Sequence, residues 1–133
     1  MTKTEKQTIQ KFKKIIIDSN KTNDIDKLIG FNLRMAGYSF YLGEYVNDCY
    51  RTSLDCYNLR KEFEANYIVT GEGGVSRLQA ESIVKSKEYR VNEVDSEVLH
   101  NRLKGYQNNI DQFIQANTQK IAHLRKEFEN SKK

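Results

Sequence analysis

The sequence predicts an all-α protein: a long antiparallel hairpin of two coiled-coil-like helices, preceded by a short N-terminal helix. Three observations favour this fold class. No proline occurs in 133 residues, whereas turn-rich β folds use proline and glycine at regular intervals. Apolar residues recur every seven positions through the first half of the chain, as in coiled coils. Three of the seven glycines fall within residues 71–74, the strongest break in the sequence.

Length and composition limit the class of protein. A chain of this length fits one domain, predicted over residues 1–133. Fourteen Tyr and Phe residues and a strong apolar period exclude a disordered chain, and two cysteines exclude a disulfide framework. No apolar run approaches the ~20 residues that cross a bilayer, and the N-terminal residues lack the apolar stretch of a signal peptide. We therefore expect a cytoplasmic protein without membrane contact.

The first predicted element is a short helix over residues 4–18. Its apolar residues follow helical spacing at Ile9, Phe12 and Ile16. The polar run of residues 19–24 is expected to end it. This helix should cover the open end of the hairpin, against Ile121, Leu124 and Phe128.

The second predicted element is a long helix over residues 24–69, identified by two apolar columns with a seven-residue repeat. The first column contains Leu28, Met35, Leu42, Cys49, Cys56 and Phe63. The second column lies three residues later and contains Phe31, Tyr38, Tyr45, Thr52 and Leu59. Together they predict the face that packs against the second long helix.

The third predicted element is a helix over residues 76–130, weakest around residues 85–95, where its apolar face drifts. Ser76 and Gln79 have the spacing of a capping box at its start. The short glycine-rich connection requires the two long helices to run antiparallel. If the turn centres near residues 72–73, facing residues have numbers that sum to about 145, which places Cys56 opposite Tyr89.

No residue pattern predicts catalysis, a cofactor or a metal site. The glycines of residues 71–74 lack the lysine and the preceding strand of a phosphate-binding loop, so a helix reversal explains them. Cys49, Cys56 and His100 do not have the spacing of metal ligands, and a two-helix hairpin offers no cleft that excludes water. We expect a protein that binds a partner rather than an enzyme.

Charge is concentrated at the chain ends. Residues 1–21 contain six lysines and two acids, and residues 120–133 contain five bases and two acids. A hairpin with a folded-back N-terminal helix would gather these bases into one basic pole, formed by Lys11, Lys13, Lys14, Lys120, Arg125 and Lys126. A basic pole suits nucleic acid or an acidic protein surface. Terminal lysines that only keep the ends soluble are the alternative explanation.

Two further surfaces are candidates for binding. An aromatic face around Tyr41, Tyr50 and Tyr57 could anchor a protein partner. Gly30, Gly37 and Gly43 interrupt the first long helix and suggest either a kink, a close approach of the N-terminal helix, or a self-association face. A two-helix hairpin leaves Tyr50, Tyr57 and the line of Val84, Val91 and Val98 uncovered, so we expect a homo-oligomer.

The stretch from Val75 to Glu129 carries the pattern SR…AE…EYR…L…R…Y…I…I…LRKE. This pattern, over about residues 74–129, resembles the small helical-hairpin proteins of bacteriophage early regions. The resemblance implies no catalytic residues. It implies an inhibitor or modulator of a bacterial nucleic-acid-handling or defence complex, for example an anti-CRISPR protein acting on a protein or ribonucleoprotein in the host cytoplasm. A DNA-binding accessory factor of phage recombination or replication is the alternative that it leaves open.

Overall fold

A computed structural model describes residues 3–132, apart from the side chains of residues 4 and 5. This part of the chain forms four helices and contains no strand. The helices are α1 (Lys3–Lys21), α2 (Ile25–Thr70), α3 (Val75–Lys85) and α4 (Lys87–Ser131). The predicted all-α class is confirmed, and the two long helices α2 and α4 pack against each other as a hairpin requires.

The helices are distributed over two compact units. The terminal unit combines the chain up to Gly43 with the chain from Gly105 onward, and the central unit is Glu44–Lys104. Both long helices contribute to both units, whereas α1 belongs to the terminal unit and α3 to the central unit.

Helix α1 continues through Lys21, three residues beyond its predicted end. The reason is that Ser19 is buried and its hydroxyl donates a hydrogen bond of 3.0 Å to Oδ1 of Asn117 on α4. Asn117 in turn donates through Nδ2 to the Leu28 carbonyl oxygen at 2.9 Å and to Oδ1 of Asn32 at 2.8 Å. One buried amide therefore joins α1, α2 and α4, and the predicted helix end at residue 18 was too early.

Three residues connect α1 to α2, and Asp24 caps the second helix. Its carboxylate accepts hydrogen bonds from the backbone N–H groups of Asp26 at 3.0 Å and Lys27 at 3.4 Å. These donors have no partner inside the helix, so a side-chain acceptor at this position stabilises the helix start.

Helix α1 packs on α2, and one of its three expected contacts at the open end of the hairpin is exposed. The Phe12 ring packs edge-to-face on Tyr38, with 5.3 Å between the ring centres. Phe12 and Ile16 also share a groove with Met35 and Ile110. Phe128, a predicted contact of this helix, remains exposed. The tight connection after Lys21 explains the difference, because it makes α1 fold back along α2.

The glycine-rich break has the predicted role of a helix reversal. Gly73 adopts a positive φ of 118°, a conformation that favours glycine. At Gly71 a Cβ atom would lie 2.5 Å from Cδ2 of Leu78 and 2.8 Å from the Tyr67 carbonyl oxygen. The predicted cap at Ser76 is wrong, because α3 begins at Val75 and its N-cap is Gly74, without a side-chain hydrogen bond.

The single helix predicted over residues 76–130 is divided at Ser86, which separates α3 from α4. Ser86 is fully buried. Its hydroxyl lies 3.0 Å from Oε1 of Glu64 on α2 and 3.2 Å from the Ile83 carbonyl oxygen. The break therefore lies at the edge of the predicted weak region, and its cause is a polar contact with the opposite helix.

The predicted register of the hairpin is wrong by one heptad in the central unit. Cys56 contacts Ser96, with 3.7 Å between Sγ and Oγ, instead of Tyr89. Tyr89 packs on Phe63, with 5.1 Å between ring centres. A shift of seven residues superimposes the apolar columns on themselves, so the apolar pattern could not distinguish the two registers.

The second predicted column also differs from the structure in the central unit. Tyr45, Thr52 and Leu59 are exposed. The seam instead uses positions four residues after the first column, where Val46 is buried and three others are half-buried: Ser53, Arg60 and Tyr67. Because three of these four residues are polar or carry a hydroxyl, hydrophobicity alone did not identify this column.

Candidate interaction surface

The interior of the central unit contains a network of charged side chains. Arg60 on α2 donates hydrogen bonds to the Glu93 carboxylate on α4 and lies 3.4 Å from Glu64. Arg90 binds Glu64 at 2.6 Å, on the same oxygen that accepts the Ser86 hydroxyl. The side chains of Arg60, Glu64 and Glu93 are only 12%, 15% and 17% exposed. Paired charges therefore join α2 to α4 here, in addition to the ring contact of Tyr89 with Phe63.

The network shifts the pKa values of Arg60 and Glu64 in directions that favour their charged forms. The hydrogen bond with Glu93 raises the pKa of Arg60, against the opposing effect of desolvation. Desolvation alone would raise the pKa of Glu64, but hydrogen bonds from Ser86 and Arg90, and the charges of Arg90 and Arg60, lower it. The shifts of Arg60 and Glu64 therefore both favour the ionised side chain.

The outside of the central unit is rich in apolar side chains. Tyr50, Leu54 and Tyr57 on α2 are 52%, 43% and 42% exposed. They are separated by four and three residues, so they lie on one side of the helix. We call these three residues the aromatic face. A cluster of large apolar side chains that stays exposed indicates a surface that another molecule covers.

Neighbouring side chains contact the two tyrosine rings of the aromatic face. The guanidinium carbon of Arg60 lies 5.3 Å from the centre of the Tyr57 ring, and the Lys61 Nζ atom lies 5.7 Å from it. The Tyr50 ring packs on the His100 imidazole at 5.6 Å between centres. Rings that are fixed before binding lose less conformational entropy in a complex.

The third tyrosine predicted for this face, Tyr41, is exposed but belongs to the terminal unit. Its ring packs edge-to-face on Phe40, with 5.9 Å between ring centres. The heptad spacing that links Tyr50 and Tyr57 does not include Tyr41. We therefore restrict the candidate face to the central unit.

The residues of the predicted basic pole form two separate groups in the structure. Lys11, Lys13 and Lys14 are exposed on α1, and Arg125 and Lys126 are exposed near the end of α4. Lys13 and Asn109 line the same groove. Arg125 follows Asn109 by 16 residues on α4, which is about 24 Å along a helix that rises ~1.5 Å per residue. The two basic groups are therefore not gathered at one point.

Lys120, the sixth residue of the predicted pole, has a structural contact instead. Its Nζ atom donates hydrogen bonds of 2.9 Å to the Ser19 carbonyl oxygen and 2.8 Å to the Thr22 carbonyl oxygen. These carbonyls lie at the end of α1, where a cation satisfies unpaired helix acceptors. Lys120 thus fixes the α1–α2 connection to α4.

Close approach of α1 does not explain the glycines of α2. A Cβ atom at Gly30 or Gly37 would have no neighbour within 4 Å. At Gly43 it would lie 3.3 Å from Nε2 of Gln107, a side chain of α4. Gly30 and Gly37 thus face open space beside the helix.

The remaining features of the described residues are two thiols and a groove beside α1. No group of three or more His, Cys, Asp and Glu residues in that part of the chain is placed to hold a metal ion. Cys49 and Cys56 form no disulfide and are half-buried in the seam. The groove beside α1 has a volume of about 230 Å³ and an apolar lining. Within residues 3–132, no helix combines the length and apolar character that crossing a bilayer requires.

The sequence did not identify Arg60 and His100, which contact the tyrosine rings of the aromatic face, or Glu93, which binds Arg60. Charged residues in a helix usually indicate a solvated surface. Their positions in the sequence could have identified them. Arg60 follows Cys56 of the first apolar column by four residues, so it lies on the same side of the helix as the seam.

No protein-family model, curated protein or solved structure matches the chain. Its function has therefore to be inferred from the residues and their geometry.

Proposed function

We propose that the protein is a non-enzymatic binding protein that contacts another protein through the aromatic face of the central unit. The observation that supports this proposal is the distribution of side chains, with Arg60, Glu64 and Glu93 inside and Tyr50, Leu54 and Tyr57 outside. Tyrosine is enriched among the residues that contribute most to protein interfaces.

The finer part of the proposal concerns the target. The resemblance of residues 74–129 to phage early-region hairpin proteins supports a bacterial nucleic-acid-handling or defence complex as the partner. In this role the protein inhibits or modulates that complex in the host cytoplasm, as an anti-CRISPR protein does. Occupying a surface of the target is sufficient for inhibition, so no catalytic residue is required.

A second candidate is a DNA-binding accessory factor of phage recombination or replication. The exposure of Lys11, Lys13, Lys14, Arg125 and Lys126 supports it, because phosphate contacts need accessible cations. Their division into two groups requires a DNA segment long enough to contact both. Such binding would weaken steeply as salt increases.

The test compares two variants of the full chain. One carries Tyr50→Ala and Tyr57→Ala, and the other reverses the five exposed basic residues to glutamate. Each is used to capture proteins from a bacterial lysate, and each is titrated with short double-stranded DNA at low and high salt. Our proposal predicts a captured protein that is lost with the tyrosine variant and retained with the charge variant. Salt-sensitive DNA binding that only the charge variant loses would instead identify the accessory factor.

A further inference from the structure

The two units differ in the number of helices that share their interiors. In the terminal unit α1 lies beside α2 and α4, and Asn117 joins all three helices. In the central unit the contacts of residues 50–63 of α2 are with α4, and the short helix α3 contacts α2 only near the reversal. A pair of helices encloses less apolar surface than three helices do, because side chains at its seam lie close to solvent.

Burial of apolar side chains differs in the same sense. Among the described residues, those buried in the terminal unit come from all three of its helices: Phe12, Ile15, Leu28, Met35, Leu42, Ile110 and Ile121. Those buried in the central unit are Val46, Leu78 and Leu103. Burial of apolar surface is the dominant favourable contribution to folding. The central unit should therefore require less free energy to open than the terminal unit.

Charged and hydroxyl groups occupy much of the central seam instead. Arg60, Glu64 and Glu93 are largely buried there, and the Ser86 hydroxyl contacts Glu64. Such charges lose hydration when the two helices pack, and this loss offsets much of their mutual attraction. They regain water when the helices separate. The network therefore determines which residues face each other, but it opposes separation less than apolar side chains of similar size would.

We propose that the central unit is a conformational switch, in which α2 and α4 separate by local opening while the terminal unit stays folded. Opening of part of a protein is expected where few apolar side chains are buried. A helical segment that loses its packing partner also unwinds transiently, since most helix stability in proteins comes from tertiary packing. The opening is a property of the free chain and does not require a target.

Opening would remove contacts that position the aromatic face. The Tyr50 ring of α2 packs on His100 of α4, and Arg60, which contacts the Tyr57 ring, is bonded to Glu93 of α4. A target that binds the face in its closed arrangement therefore favours closure of the seam, because a ligand shifts an equilibrium toward the state that it binds better. This consequence rests on the proposed function of the aromatic face, whereas the opening itself does not.

Hydrogen exchange of the full chain, followed by mass spectrometry of its peptides, measures the opening directly. We expect the backbone amides of residues 47–66 and 87–102 to exchange at least about tenfold faster than those of residues 28–42 and 107–120. All four stretches are helical, so a difference in rate reports the packing around the helices. Equal rates in the two units, or slower exchange in the central unit, would overturn the proposal.

Substitutions should act within one unit. Arg60→Met should accelerate exchange in the central unit by about tenfold or more, because it leaves buried carboxylates without a cation, and should not accelerate the terminal unit. Lys61→Met is the matched control, since Lys61 is exposed beside the same tyrosine, and it should change neither unit. Asn117→Ala should accelerate the terminal unit alone. Equal acceleration of both units by Arg60→Met would show that the chain opens as one unit.

A disulfide across the seam tests the proposal without a destabilising substitution. The Sγ atom of Cys56 lies 3.7 Å from the Oγ atom of Ser96, so the thiol of Ser96→Cys would lie beside Cys56 in the closed seam. Oxidation of this variant should slow exchange of residues 53–60 and 92–99 at least about tenfold relative to its reduced form, and should leave residues 107–120 unchanged. The linked species must keep the mass of one chain, 15.6 kDa. Unchanged exchange after oxidation would overturn the opening.

The exchange measurements separate this proposal from the proposed function. They use the free chain, so uniform exchange would overturn the opening and leave capture of a target by the aromatic face unaffected. Faster exchange confined to the central unit would support the opening even if Tyr50→Ala and Tyr57→Ala do not change target capture.

Discussion

The Arg60 guanidinium packs on the ring of Tyr57, with 5.3 Å between the guanidinium carbon and the ring centre. The same guanidinium is bonded to Glu93 on the facing helix. One cation thus links the packing of α2 against α4 to the orientation of a residue on the candidate binding surface.

Replacing Arg60 with methionine should lower the free energy of unfolding by about 2 kcal/mol, because Glu64 and Glu93 would lose a cation in a largely buried setting. Urea denaturation measures this change. Lys61→Met is the matched control, since Lys61 lies over the same ring but is exposed, and we expect less than about 0.5 kcal/mol. Equal losses in the two variants would argue against the network.

Stability should decrease at acidic pH because of Glu64. Its pKa is lowered in the folded protein from a reference value of 4.5. A lowered folded pKa stabilises the fold above the unfolded pKa, and this stabilisation is lost as pH falls below about 4.5 through the folded pKa. Urea midpoints measured between pH 7 and pH 3 should therefore fall less steeply in Glu64→Gln than in the unmodified protein. Identical slopes would contradict the assignment.

Asn117→Ala should destabilise the protein by about 2 kcal/mol, because the Ser19 hydroxyl and the Leu28 carbonyl would lose a buried partner. Chemical denaturation of Asn108→Ala provides the control, since Asn108 is exposed on the same helix. If the two alanine variants unfold at the same denaturant concentration, the buried amide does not join the three helices.

Two glycine substitutions should have opposite effects. Gly37→Ala should raise the free energy of unfolding by roughly 0.5–1 kcal/mol, because the site is helical and nothing lies within 4 Å of the new Cβ. Gly71→Ala should lower it, because the new Cβ would lie 2.8 Å from a backbone oxygen. Thermal or urea unfolding of both variants is the measurement. A loss of stability for Gly37→Ala would show that another part of the folded protein covers this side of α2.

The sequence predicted those elements that depend on residues close together in the chain. The seven-residue apolar period predicted α2 within one residue at each end, and the glycines of residues 71–74 predicted the reversal. The hairpin register was not predictable in the same way, because a shift by one heptad leaves apolar residues facing apolar residues. The contacts that distinguish the registers, such as Cys56 with Ser96, involve side chains that carry no hydrophobic signal.

Polar residues in seam positions account for the other differences. Ser19 and Asn117 extend α1 and anchor it beside α2, and Ser86 divides the second long helix through its contact with Glu64. Each of these residues is common on exposed helix surfaces, so its burial depends on a partner that is distant in sequence. For the same reason the sequence identified Tyr50 and Tyr57 as candidates but not Arg60 and His100 beneath them.

The central claim is that the aromatic face binds the target. The most direct measurement is the affinity of a captured partner for Tyr57→Ala, with Tyr45→Ala as the control, since Tyr45 is an exposed tyrosine of α2 outside the face. We predict a loss of about 30-fold or more for Tyr57→Ala, as at an interface hot spot, and no more than about a threefold change for Tyr45→Ala. Unchanged affinity for Tyr57→Ala, in a variant with unchanged helix content, would contradict the claim.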